Sequence, residues 1–167
     1  MPRSFDVSFD SPASVEQIRS AFADEKYWLA RLAAFGGNKA LESLTVGSDG
    51  TVSAVVTEDL RHGGLPTILT TFYRGDLNIV SKETWAPIGD GCVSGEIGVA
   101  VIGAPGSGHG AAMLVPSVNG SQLTIAVTVE FKVPLVGGKV ESFIAREFAR
   151  GLPEIQRFTN TWIGENA

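Results

Sequence analysis

The chain has 167 residues, 44% of them hydrophobic and 19% charged. That suffices for one domain with a single core and is too apolar for a disordered chain. Net charge is −5, and like charges run no longer than two, which excludes the clustered cations that duplex nucleic acid demands.

Residues 4–10, "SFDVSFD", place Phe5, Val7 and Phe9 on one side of a strand and four polar residues on the other, the signature of a half-buried strand. In "SPASVEQIRSAF", Ser14 and Gln17 have capping-box spacing, and Val15, Ile18 and Phe22 share one helical face. "EKYWLARLAAF" sets Trp28, Leu32 and Phe35 on one face of a second short helix, stopped by Gly36-Gly37.

From about residue 40 the period changes to two. Asp49-Gly50, Asp90-Gly91 and Asn119-Gly120 separate strand-like runs and tolerate the positive φ of tight hairpins, with Pro105-Gly106 as a weaker turn. The predicted strands are 41–48, 51–60, 77–86, 92–103, 107–116 and 121–133. The link 61–76, with its "LPTILTTFY", is left open. Gly95, Gly98, Gly108 and Gly110 fall inside strands, where glycine marks bulges and bends.

After Gly137-Gly138 the period turns helical. Val140, Ile144, Gly151, Ile155, Phe158 and Trp162 cluster on one face, with Arg146, Arg150 and Arg157 opposite. Pro153 inside this helix predicts a kink or break near 149–153. Residues 1–167 thus read as one α+β domain: a seven-stranded antiparallel sheet, curved around a long C-terminal helix, with two short helices after the first strand.

The stretches "YWLARL" (27–32), "LESLTVGSDG" (41–50), "RGDLNIVSKETW" (74–85), "VPLVGGKVESFI" (133–144) and "QRFTNTWI" (156–163) carry a family resemblance. With this element order, the chain resembles the helix-grip superfamily of START lipid-transfer domains, birch-pollen-type allergens and polyketide cyclases (SRPBCC). More narrowly, it is similar to an uncharacterised actinobacterial family, domain of unknown function 2505. The resemblance implies a cavity between sheet and final helix that holds an apolar ligand; it carries no catalytic motif.

Nucleotide loops are not the reading of the glycine-rich stretches. "VPLVGGKVE" lacks the first glycine and the final hydroxyl of a phosphate loop, so Gly137-Gly138 reads as a strand-to-helix hinge. "GAPGSGHGAAM" (103–113) lacks the lysine and reads as turn and strand. Cys92 is the single cysteine, so an internal disulfide is excluded, and with only His62 and His109 beside it a Cys/His zinc cluster is out of reach. No cofactor is implied. Neither a signal-peptide pattern nor an apolar run of about 18 residues occurs, so stable membrane insertion is not expected and a cytoplasmic location is.

Inward-facing residues are the candidate site. Glu83 shares the parity of Leu77, Ile79 and Trp85, Glu58 that of Val52, Ala54 and Val56, and Glu147 lies in the apolar arc of the last helix. An inward carboxylate requires water at a cavity mouth or a partner such as Arg31, Arg61 or His109. His109 shares the parity of Ala111, Met113 and Val115, and an imidazole is the most adaptable acid or base in this chain. The expected ligand-binding set is Trp28, Glu83, Trp85, His109, Met113, Ile144, Glu147 and Gly151, around a hydrophobic small molecule such as a lipid, fatty acyl chain, isoprenoid or polyketide. Two alternatives stand beside this carrier. One is a cyclase or dehydratase using His109 with a cavity carboxylate; the other is a protein-interaction module with a collapsed cavity.

Overall fold

A computed structural model describes residues 2–35, 38–59, 77–133 and 135–166. The order is β1 (Arg3–Ser11), α1 (Val15–Phe22), α2 (Glu25–Ala34), β2 (Asn38–Val46), β3 (Val52–Asp59), β4 (Asn78–Gly89), β5 (Cys92–Ile102), β6 (Gly106–Ser117), β7 (Gly120–Phe131) and α3 (Gly137–Asn166). The seven strands form one antiparallel sheet in the order β1-β7-β6-β5-β4-β3-β2. Every predicted element within the described residues is present. The 61–76 stretch, with His62 and Arg61, lies outside them.

Local chemistry sets the boundaries. Ser14 caps α1 by accepting the Gln17 N–H at 3.1 Å, while Gln17 Oε1 accepts the Ser14 N–H at 2.9 Å, completing the capping box. Asp24 caps α2 through the Lys26 N–H. Asp90 and Gly91 both have positive φ, 57° and 73°, as a two-residue hairpin turn requires.

Two other turns differ from expectation. Ser117 pairs with Gly120, so the β6–β7 loop is Val118-Asn119 and Gly120 opens β7 at φ 144°. A Cβ on Gly120 would lie 2.2 Å from the Ser11 carbonyl oxygen; the chain leaving β1 passes too close for any side chain. Between β5 and β6 the positive φ belongs to Gly103 rather than to Gly106.

The strand glycines do not make bulges. The ladders run in register through Gly95, Gly98, Gly108 and Gly110, and the register shifts fall at Leu41/Ser43 and Pro87/Gly89 instead. Gly95 serves packing: a Cβ there would sit 2.4 Å from the Trp85 ring, which lies across it.

Helix α3 continues through Pro153 without a break and spans about 45 Å at 1.5 Å per residue. Pro153 has no N–H to donate to the Ala149 carbonyl, yet the helix does not divide there. Its first turn is fastened by the Gly137 N–H donating to the Val133 carbonyl at 2.9 Å. Gly137 lies so close that a Cβ would stand 2.5 Å from the Phe131 carbonyl oxygen, confirming the hinge. The positive φ of that connection falls on Leu135, at 69°. At the far end, the Tyr27 hydroxyl meets Thr159 Oγ1 at 2.7 Å, and Ser11 Oγ donates to Asn160 Oδ1 at 2.6 Å.

The helix is fully buried only at its two ends, through Gly137, Val140 and Glu141 and through Thr159 and Ile163. None of residues 142–158 is fully buried. α3 packs on β1 and β7, and α2 on β2. Strands β3 to β6 lie between those two supports, with the helix spanning above them.

Candidate functional site

The space under the middle of α3 is a cavity of about 600 Å³, within the size range of small-molecule sites. Period-two alternation aims Ala54 and Val56 of β3, Ile79 of β4, Ile97 and Val99 of β5 and Ile125 of β7 into it. Ile144, Phe148, Leu152 and Ile155 descend from α3, and Trp28, Leu32 and Phe35 close the side under α2. Gly106, Gly108 and Gly151 belong to the wall but carry no side chain to fill it. The lining is mostly hydrocarbon.

Its most buried charged point is Arg31 with Glu83. The guanidinium Nη2 donates to Glu83 Oε2 at 3.0 Å, and each side chain keeps 14% of its exposure. Trp85 Nε1 donates to the other carboxylate oxygen at 3.2 Å, while the Arg31 guanidinium lies 4.7 Å from the Trp28 ring centre in a cation–π contact. Burial disfavours the Arg31 charge, but the Glu83 carboxylate and the Tyr27 hydroxyl together outweigh it, so its pKa is raised. Tyr27 itself is pushed up by burial, with the Arg31 charge opposing.

An aromatic block backs this pair. Phe22 lies 4.9 Å from Trp85 and 5.5 Å from Tyr27 between ring centres, and Trp28 Nε1 donates to the Phe22 carbonyl at 2.7 Å. The Arg31 and Glu83 side chains are therefore held by rigid neighbours. Toward the solvent side, Lys39 and Glu58 approach to 4.0 Å, and Glu147 pairs with Arg150 at 3.2 Å on the half-exposed outer edge of α3.

Six of the eight residues expected at the site line the cavity: Trp28, Glu83, Trp85, Ile144, Glu147 and Gly151. His109 and Met113 do not. Both side chains are exposed on the opposite face of β6, where His109 stands across from Gly98 and Thr128. Their neighbours Gly110, Ala112 and Leu114 are the buried ones. The expected parity is off by one residue because the segment is rich in small residues that mark neither face, and Met113 points outward. The acid–base pair of His109 with a cavity carboxylate is consequently not assembled; the sheet lies between them.

Of the partners expected for an inward carboxylate, Arg31 is the one that pairs with Glu83. Lys39 was missed because the predicted β2 began at residue 41, although Lys39 shares the inward face of Leu41. Glu141, fully buried just past the first turn of α3, was missed as well. Among the described residues, no group of three His, Cys, Asp or Glu side chains could hold a metal, and no helix is long and apolar enough to cross a membrane.

Residues 6–163 match the family described as "Protein of unknown function (DUF2505)". The chain belongs to the DUF2505 family. An uncharacterised protein of Mycobacterium tuberculosis strain H37Rv is 39% identical over 99% of both chains. Among solved structures, this DUF2505 chain is similar to a protein of unknown function from Staphylococcus aureus, with a TM-score of 0.60 and 10% identity over 99% of this chain and 96% of the other. It is also similar to Ara h 8.0201, with a TM-score of 0.55 and 14% identity over 99% of each chain. A third likeness is to dicamba monooxygenase bound to 3,6-dichlorosalicylic acid, with a TM-score of 0.56 and 14% identity over 99% of this chain and 50% of that one. At these identities the likeness is one of fold, and the fold of this DUF2505 member is the helix-grip, Bet v 1-like fold: a curved seven-stranded antiparallel sheet with a long C-terminal helix and two short helices after the first strand.

Proposed function

We propose that this protein binds or carries a hydrophobic small molecule, of the lipid, fatty acyl, isoprenoid or polyketide kind, and performs no chemistry on it. The observation that carries this reading is the hollow of about 600 Å³ beneath the half-buried middle of α3. Apolar walls favour an apolar guest by about 25 cal/mol per Å² buried, before the cost of association. The fold likeness to a monooxygenase described with a chlorinated aromatic acid bound supports a guest in this space by analogy of fold alone. A collapsed interaction module does not suit a cavity of this size, and the outward His109 removes the acid–base pair that a cyclase reading needed.

The test is native mass spectrometry of protein purified without detergent, together with titration by Nile red, a neutral dye that brightens in apolar surroundings. The expected result is a co-purifying mass that is lost on denaturation, or saturable one-to-one dye uptake. Bare chain together with no dye uptake would refute the carrier.

A further inference from the structure

Resting on the carrier reading, we infer that the guest has an uncharged, hydrogen-bonding head, such as a hydroxyl or ketone, seated at the Arg31–Glu83 pair, and that the cavity discriminates against a fatty-acid anion of the same length. Among the described residues, every charged side chain of the cavity wall has an oppositely charged partner. Arg31 is matched by Glu83, Lys39 by Glu58, and Glu147 by Arg150 outside the wall. Glu83 lies opposite Ala54 in the β3–β4 ladder, and Glu58 is four residues further along β3, about 13 Å at 3.3 Å per residue. The two ion pairs are thus separate points rather than one cluster. Only the Arg31–Glu83 point is well withdrawn from water.

A carboxylate brought to that point would find its cation already engaged and would face Glu83 in a low-dielectric space, where like charges repel strongly and lost hydration is not repaid. An ammonium head meets the mirror-image problem with Arg31. A hydroxyl has neither difficulty. It can accept from the guanidinium, which has five N–H donors and gives Nη2 to Glu83, and donate to the carboxylate, whose two oxygens offer about four acceptor sites. Trp28 under the guanidinium and the Trp85 indole N–H on the carboxylate keep both groups in place, so the head-group site exists before the guest arrives.

The experiment is displacement of Nile red by decan-1-ol, decanoate and decylammonium at about pH 8, where decanoate is ionised. Decanol is expected to displace the dye at roughly tenfold lower concentration than either ion. Glu83→Gln keeps an acceptor for Trp85 but leaves Arg31 without its counter-charge. In that variant decanoate should gain about tenfold while decanol changes less than about threefold. Equal or tighter binding of decanoate by the wild-type protein overturns the head-group inference while leaving the carrier intact. So does a Glu83→Gln protein with an unchanged order of preference. Failure of the dye and all three amphiphiles to bind removes the carrier and this inference together. The wild-type ranking stands as a test even if the variant does not fold.

Discussion

Glu141 Oε2, just past the first turn of α3, accepts the backbone N–H of Phe131, the last residue of β7, at 2.9 Å. Glu141 is completely buried there, so this bond joins the sheet to the helix in a place where water cannot substitute. Glu141→Ala should lower stability by about 2–4 kcal/mol, since it removes a buried acceptor and leaves a void. Glu141→Gln retains an acceptor and should cost about 1 kcal/mol. Urea denaturation of the two variants side by side measures the difference; equal losses would show that the hydrogen bond is not what matters at this position.

Gly95 and Trp85 make a second checkable contact. With a Cβ only 2.4 Å from the ring, Gly95→Ala must push Trp85 off its seat between β5 and Phe22. Destabilisation of about 1–3 kcal/mol is expected for such overpacking. The indole would also lose its bond to Glu83, so a shift in tryptophan emission should accompany the lower midpoint. An unchanged spectrum would mean that the sheet moves instead of the ring.

Gly151 offers the opposite case. It belongs to the cavity wall, and a Cβ there would meet nothing within 4 Å. Gly151→Ala should raise stability by about 1 kcal/mol through helix propensity alone and leave dye uptake nearly unchanged. Gly151→Leu carries a larger side chain into the same space and should weaken Nile red uptake by about tenfold with no fall in thermal midpoint. If both variants took up the dye like the wild type, the dye would be binding elsewhere.

Tyr27 ties stability to alkaline pH. Its folded pKa is raised, chiefly by burial, so the folded state holds the phenolic proton at a pH where the unfolded chain has released it. The stability this contributes is fully present below the unfolded value of about 10 and is lost as pH rises through the folded one. Tyr27→Phe should therefore be less stable than wild type at about pH 8, lacking the bond to Thr159. The gap should shrink or reverse at about pH 11. Denaturation curves at the two pH values test the sign; parallel losses for both proteins would contradict it.

Residues whose neighbours alternate clearly in polarity told their own direction. Glu83 sits in a strand where Ile79 and Trp85 mark the inner face, and Leu123 to Phe131 leave no doubt about β7. The capping box of α1 was equally plain, because it involves only Ser14 and Gln17. His109 lies among Gly108, Gly110, Ala111 and Ala112, none of which prefers one side strongly, so its direction depends on the pairing with β5 and β7 rather than on local pattern. The glycines invited a bulge reading because their tertiary reason, a tryptophan ring lying across Gly95, comes from another strand. Pro153 pointed to a kink or break on local grounds; the helix runs on through it, with anchors at Phe131, Tyr27 and Ser11, all distant in sequence, holding both ends. Lys39 shows the limit of boundaries: three residues of strand ahead of the predicted start added a charge to the wall.

If a guest occupies the cavity as proposed, the half-buried midsection of α3 couples occupancy to endurance. A guest lying beneath it would supply the packing partners that residues 142–158 lack, adding roughly 2.7 kcal/mol to the folded state when present at a hundred times its dissociation constant. Amide hydrogen exchange along that segment would slow as the guest accumulates, while the tethered ends stayed as they were. The lifetime of the protein would then follow the supply of its cargo.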